Sequence, residues 1–108
     1  MKLSVIIPVY NEEKTLTILL NKVKKTDFNK EIIIVNDGSY DRTKEILDKI
    51  KGSYVKVFHH KKNRGKGAAI RTGLSNATGD IIMIQDADLE YDPRDYEGLI
   101  SPIMNGKA

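Results

Sequence analysis

At 108 residues and without cysteine, the chain can form one domain with a hydrophobic core, and disulfides and thiolate metal sites are excluded. Its composition, 40% hydrophobic and 31% charged, is typical of a folded globular protein and not of a disordered one. The formal net charge of +3 is spread along the chain; it permits nucleic acid or anionic lipid as a partner without arguing for either, and no nucleic acid partner is expected. No apolar run approaches the roughly 20 residues of a membrane helix.

The first predicted element is a buried parallel strand over residues 3–9, a continuous apolar run rich in β-branched side chains. Asn11 is predicted to cap the helix that follows, because asparagine side chains accept from free backbone N–H groups at helix starts. That helix is indicated by one apolar stripe at helical spacing, made of Leu16, Leu19, Leu20 and Val23.

The second strand is predicted over residues 31–36 and ends in Asp37-Gly38, a pair that often forms a hairpin turn. The next segment has a helical pattern, so we interpret the pair as a strand-to-helix turn, with Asp41 as the cap. Gly52 is predicted to end this second helix. Residues 54–58 alternate loosely and predict a third strand, less buried than the others.

The second half of the chain continues the alternation of strands and helices. Residues 59–66 form a basic loop, and a helix rich in small residues is predicted from about 67 to 77. Residues 81–84 predict a fourth, buried strand, and Asp92-Pro93 starts a last helix. The order β-α-β-α-β-α-β-α predicts an α/β fold: an open, mostly parallel, Rossmann-like sheet with helices on both faces.

Two carboxylates follow the fourth strand, at Asp86 and Asp88. Side chains two apart on a strand project to the same side, and paired carboxylates favour a proton or a cation. Mg²⁺ typically takes one or two carboxylates together with substrate phosphate oxygens, so the pair predicts a metal that holds a diphosphate. The alternative is a plain acidic turn before the last helix.

Further polar clusters follow the other predicted strands, and the carboxyl ends of parallel strands meet at the edge where ligands bind. Tyr10 and Glu12 would line a base and accept from it or from a ribose; the alternative is an edge cover and a helix cap. Asp37 would accept from a base or a ribose hydroxyl, or is only a turn former. The loop 64–67, at a helix start, would contact a diphosphate, or is only a solvated connection. The pair His59-His60 is interpreted as structural or exposed.

Four motifs in order carry a family resemblance: VIIPVYNEEKTL, IIIVNDGSYDRT, NRGKGAAIRTGL and GDIIMIQDADLEYDP. They resemble the nucleotide-binding half of the family-two inverting glycosyltransferases, most closely the polyprenol-phosphate sugar transferases. The resemblance implies a GT-A fold, a UDP- or GDP-sugar donor and Mg²⁺ or Mn²⁺. Without cysteine, the cytoplasm is the default compartment. The resemblance adds the cytoplasmic membrane face as a candidate place for the full-length parent, and a lipid phosphate as a candidate acceptor.

The resemblance assigns roles to individual residues. Asp86 and Asp88 match the D-x-D metal motif, and Glu90 stands where relatives often carry Gln, so it is a further candidate ligand. Pro8, Tyr10 and Glu12 would line the base and ribose, and Asp37 would contact the base. With the basic loop, the candidate nucleotide-binding set is Pro8, Tyr10, Glu12, Asp37, Arg64, Lys66 and Asp86.

Relatives of this family continue past the segment matched here, so residues 1–108 are predicted to be a truncated, donor-binding half. The acceptor-binding half and the catalytic residues are expected outside it, and the strand 81–84 could then form an open edge that pairs with another copy. The alternative is a non-catalytic nucleotide-binding or self-associating fragment. A nucleotidyltransferase ranks last, because residues 8–12 stand where those enzymes commonly carry a glycine- and lysine-rich loop.

Overall fold

A single parallel sheet forms the centre of the computed structural model, which describes residues 1–50, 52 and 54–87. Asp88, Glu90 and the predicted helix from Asp92-Pro93 onward lie outside these residues. The described strands are β1 (Leu3–Val9), β2 (Lys30–Asn36), β3 (Val55–His59) and β4 (Ile81–Ile84). The described helices are α1 (Leu16–Lys24), α2 (Thr43–Asp48) and α3 (Lys66–Asn76).

The strand order is β3-β2-β1-β4, and every pairing is parallel. The chain steps outward in one direction from β1 to β3 and then crosses to the other side of β1 to form β4. The sheet therefore has a switch point between β1 and β4, the place where open α/β sheets bind ligands at their carboxyl ends. The predicted open, parallel α/β fold is confirmed.

Helices cover both faces of the sheet, as predicted, because β1 and β2 are apolar on both sides. On one face Val5, Ile7 and Ile34 pack with the stripe of α1 and with Leu47 of α2. On the other face Ile6 and Ile33 pack with Ala69 of α3. None of the helices within residues 1–50 and 54–87 has the length and hydrophobicity needed to cross a membrane.

Three local predictions are wrong. Asn11 does not cap α1, which starts at Leu16; Asn11 has the left-handed φ of 53° and its side chain bonds the next loop. Gly52 does not end α2, which ends at Asp48. The fourth strand is not buried throughout, because Ile84 is 43% exposed at the sheet edge.

Candidate functional site

A cleft of about 460 Å³ opens at the carboxyl ends of the strands, beside the switch point. The four predicted polar clusters converge on it, although they come from distant parts of the sequence. Gln85 N–H donates to the Ile6 carbonyl at 2.9 Å, which extends the β4 ladder and brings Asp86 level with the end of β1. The lining residues are Pro8, Val9, Tyr10, Glu12, Asp37, Asn63, Gly65, Lys66, Ala69, Asp86 and Ala87.

The loops after β1 and β2 are tied to each other by side-chain to backbone hydrogen bonds. The Asn11 N–H donates to Ser39 Oγ, and the Tyr40 N–H donates to Asn11 Oδ1, both at 3.0 Å. The Glu12 N–H donates to Thr43 Oγ1 at 3.0 Å. Asparagine tolerates the left-handed conformation better than most residues, which explains its place at this crossing. The two loops therefore form one wall of the cleft.

That wall carries aromatic surface. Tyr10 lines the cleft, and its ring meets the ring of Tyr40 edge to face, with centroids 6.1 Å apart and planes at 79°. Tyr40 is 83% exposed, so the pair forms a rim. With Pro8 beside it, this side of the cleft offers an apolar surface suited to a planar ring.

Asp37 is buried at the end of β2 and holds the loop that follows β3. Its Oδ1 accepts from the Arg64 N–H at 2.9 Å and from His60 Nδ1 at 2.8 Å, and its Oδ2 accepts from the Gly65 N–H at 2.8 Å. A carboxylate has about four acceptor positions, so about one remains for a ligand. Asp37 is thus first a support of the basic loop.

The electrostatics of Asp37 follow from these contacts. Burial alone would raise the pKa of this carboxyl group, but the hydrogen bonds from His60, Arg64 and Gly65 outweigh it, so that the pKa lies below its ordinary value. Asp37 is therefore ionised at neutral pH, with three donors that disperse its charge inside the protein.

The turn after β2 allows this arrangement through Gly38. Its φ is 73°, and a Cβ here would overlap the backbone of Lys62 and Asn63, which crosses directly over it. Glycine is therefore required for the basic loop to lie against the turn. Asn63 Nδ2 also donates to the Asp37 carbonyl, at 3.3 Å.

The opposite wall of the cleft carries charge. Helix α3 begins at Lys66, after Gly65 with a φ of 98°, and its first turn contains no acidic residue. The Lys66 ammonium forms an ion pair with Asp86 Oδ1 across the mouth of the cleft. A cation, an acid and a helix N-terminus therefore stand together, opposite the aromatic wall.

Six of the seven predicted nucleotide-binding residues line this cleft. Arg64 does not; its side chain is exposed and its backbone N–H serves Asp37. Asp88 and Glu90 lie outside the described residues. Asn63, which the sequence places in the polar cluster at this edge but not in the candidate binding set, also lines the cleft. The prediction missed the support given by His60, whose two partners are far away in sequence.

Metal binding rests on what these residues can offer. Among residues 1–50, 52 and 54–87, no three His, Asp or Glu side chains cluster closely enough to hold an ion. Asp86 supplies one carboxylate at the cleft, and Mg²⁺ or Mn²⁺ sites of this kind take one or two carboxylates plus phosphate oxygens. Asp86 therefore fits as one ligand, and it already pairs with a cation, the Lys66 ammonium.

Comparisons with known proteins agree with the fold. The dolichol-phosphate mannosyltransferase of Pyrococcus furiosus is 39% identical over 98% of this chain, and the chain spans 31% of that protein. The S. aureus protein TarS in complex with UDP-GlcNAc superposes with a TM-score of 0.80 at 33% identity, over 97% of this chain and 32% of TarS. The mannosyltransferase PcManGT of Pyrobaculum calidifontis, in complex with GDP-Man and Mn²⁺, gives 0.81 at 27% identity, over 94% and 32%.

The chain thus spans about a third of the length of the curated relatives it matches. The sequence profile of glycosyl transferase family 2 matches residues 4–108, nearly the whole chain. This chain therefore belongs to glycosyl transferase family 2.

Proposed function

We propose that the cleft binds the nucleoside-diphosphate sugar donor of a glycosyltransferase, and that residues 1–108 form its donor-binding half. The observation that carries this is the convergence of four separate loops on one cleft with an aromatic wall and a charged wall. A nucleotide sugar has the same two ends, a planar base and an anionic diphosphate.

In this proposal the base lies against Tyr10 and Pro8, because they supply the apolar surface of the cleft. The Glu12 carboxylate accepts from a ribose hydroxyl, and the remaining acceptor position of Asp37 takes a base N–H or a second hydroxyl. The Lys66 ammonium and the N-terminal end of α3 receive the diphosphate, since both favour anions.

The ion pair between Lys66 and Asp86 gives each residue a second task. The Lys66 ammonium pairs with the diphosphate in place of Asp86. Asp86, together with Asp88, would then hold Mg²⁺ or Mn²⁺. The bound ion supplies Lewis-acid stabilisation of the diphosphate as it leaves the sugar. The walls of the cleft orient the donor so that the acceptor can approach the far side of the sugar, which leads to inversion.

The acceptor we propose for the whole protein is a polyprenyl phosphate. Support comes from the relatives, whose names include dolichol-phosphate and undecaprenyl-phosphate transferases. A phosphate acceptor is already anionic, so transfer to it needs no strong general base, and no described residue of the cleft is required in that role.

Isothermal titration calorimetry with UDP- and GDP-sugars, each with and without Mn²⁺, tests the donor site. We expect metal-dependent binding of at least one donor. Asp86→Asn should reduce the gain from metal by tenfold or more, about the effect of losing one charge-assisted contact. The matched control is Asp27→Asn, which removes the same charge from an exposed connection far from the cleft.

Two results would overturn the proposal. One is a folded chain that binds neither donor in the presence of Mn²⁺. The other is an equal loss of metal-dependent donor binding in Asp86→Asn and Asp27→Asn. Such a result would mean that the metal does not bind in the cleft.

A further inference from the structure

We infer that His60 is a positioning residue of the donor site, which fixes the Asp37 carboxylate so that the basic loop is held in shape for a diphosphate. The inference builds on the proposed function, and its first test is made without a ligand. His60 stands next to the cleft and not among its lining residues.

The geometry of His60 is that of a bridge between the sheet and α3. Its side chain is 8% exposed, and its two ring nitrogens are both engaged. Nδ1 lies 2.8 Å from Asp37 Oδ1, and Nε2 lies 2.8 Å from Thr72 Oγ1, two turns into α3. The ring therefore has one orientation, and the carboxylate that it meets cannot turn freely.

The proton on Nδ1 is fixed by its partner. Asp37 is ionised, so its oxygens only accept, and Nδ1 must carry the hydrogen. Thr72 suits either state of the other nitrogen, because a hydroxyl can donate to a bare Nε2 or accept from a protonated one. This is the arrangement in which a carboxylate and a histidine orient each other, with a hydroxyl to lock the far side.

The fixed orientation of the Asp37 carboxylate determines the backbone of the basic loop before α3. With Oδ1 shared between His60 and the Arg64 N–H, the plane of the carboxylate directs Oδ2 to the Gly65 N–H. These two amides set the backbone just before Lys66, the first residue of α3. Without the His60 donor, the carboxylate loses one of three partners and its orientation.

His60 also answers an electrostatic problem of the proposed site. Asp37 lines a cleft that is proposed to take a diphosphate, and two anions repel. The hydrogen bonds from His60, Arg64 and Gly65 disperse the negative charge of Asp37 and so reduce its repulsion of a diphosphate. Of these three donors only His60 is a side chain, so substitution can remove it without changing the backbone.

The neighbouring histidine provides a matched control. His59 Nδ1 lies 3.0 Å from Asn36 Nδ2, and His59 Nε2 lies 3.2 Å from Asp48 Oδ1. It has the same kind of contacts at the same end of the sheet but does not contact Asp37. His59→Ala should therefore leave the loop unchanged.

The experiment uses two replacements that each preserve one half of the ring. His60→Asn keeps a donor near the position of Nδ1, and His60→Gln keeps one near Nε2 and leaves Asp37 without its side-chain partner. Amide chemical shifts of Arg64 and Gly65, measured by ¹⁵N NMR on the ligand-free chain, report the two hydrogen bonds to Asp37. We expect both amides to shift upfield in His60→Gln, and to stay near the native values in His60→Asn and His59→Ala.

Binding of UDP and GDP with Mn²⁺ then links the loop to the ligand. We expect about tenfold weaker binding for His60→Gln and no more than about twofold for His60→Asn, given the usual strength of one hydrogen bond to a charged group.

Native amide shifts in His60→Gln, or equal losses in both variants, would overturn the inference. If His60→Gln does not fold, Thr72→Val removes the far-side bond alone; unchanged amides there would overturn it equally. A native chain that binds no nucleotide would sink the proposed function and leave the NMR result to decide the role of His60.

Discussion

Among single residues, Glu31 shows most clearly how the sheet is held together away from the cleft. It starts the buried part of β2, with 2% of its surface exposed, at the end of the sheet opposite the cleft. Its Oε2 accepts from Ser4 Oγ and from the Thr78 N–H, both at 2.6 Å. Its Oε1 lies 3.0 Å from Lys56 Nζ and 3.8 Å from Lys2 Nζ. One carboxylate thus joins β1, β2, β3 and the turn before β4.

The pKa of Glu31 reports the balance of these contacts. Burial by itself would raise it, but the hydrogen bonds from Ser4 and Thr78 and the ion pair with Lys56 outweigh burial and lower the pKa from 4.5 to about 2. A lowered pKa means that the folded state favours the ionised form. The stabilisation is therefore fully present above pH 4.5 and is lost as the pH falls toward 2, with a ceiling of about 3 kcal/mol.

We predict that Glu31→Gln lowers the free energy of unfolding at pH 7 by about 2–3 kcal/mol, because it removes a buried, paired charge. Its stability should also fall less steeply than that of the native chain between pH 4.5 and 2. Urea unfolding at several pH values measures both effects. Glu45→Gln, at a 67% exposed side chain on α2, is the control and should change little. Equal pH slopes for Glu31→Gln and the native chain would contradict this account.

Among the described helices, α3 lies closest to the sheet, and its small residues explain why. Gly73 faces β1, and a Cβ at this position would come within 2.5 Å of Ile6 Cγ2. Ile6 is fully buried under the helix, with little room to move aside. The close approach brings the start of α3 to the cleft and Thr72 to His60.

We predict that Gly73→Ala lowers the free energy of unfolding by about 1 kcal/mol or more, because overpacking outweighs the better helix propensity of alanine. Gly67→Ala is the control in the same helix, since its Cβ would only reach Arg71 Nη1 at 3.5 Å. That change should leave stability unchanged or raise it by about 0.5 kcal/mol. Urea unfolding of both variants measures the difference, and equal stabilities would refute the packing argument.

The strands and the start of α3 were predicted closely from the sequence, and the start of α1 was not. The predictions for β1 and β4 have the observed bounds, and those for β2 and β3 differ by one residue. Buried apolar runs make strands recognisable, because burial on both faces leaves few alternatives. The start of α1 was misplaced, since Asn11 bonds Ser39 and Tyr40, partners that only the tertiary fold brings near.

The candidate site was predictable to the extent that it follows from strand ends. Residues after parallel strands meet at one edge, and six predicted residues do so here. The contact between Asp37 and His60 could be predicted only with the register of β2 and β3. In that register Asn36 pairs with His59, which places Asp37 beside His60. Polar pairs at the ends of two neighbouring strands were the available signal, but local sequence alone does not give that pairing.

The whole molecule separates its tasks between the two ends of one sheet. The amino-terminal end carries the Glu31 network, which stabilises the strands, and the carboxyl-terminal end carries the cleft. Substitutions at the two ends should therefore have different effects. Changes around Glu31 should alter stability, whereas changes at Asp86 or Lys66 should alter ligand binding and leave the fold intact. A nucleoside diphosphate and its metal, we propose, occupy the carboxyl-terminal end.

Paramagnetic broadening by Mn²⁺ tests that claim most directly, because it locates the ion on the folded chain. The measurement compares ¹⁵N amide signals with UDP or GDP, first with Mg²⁺ and then with a trace of Mn²⁺. We predict that broadening centres on Ala87, with Tyr10 and Gly65 affected next, and that Glu31 and Gly79 remain sharp. Broadening centred on the Glu31 end, or spread evenly over the chain, would contradict the account.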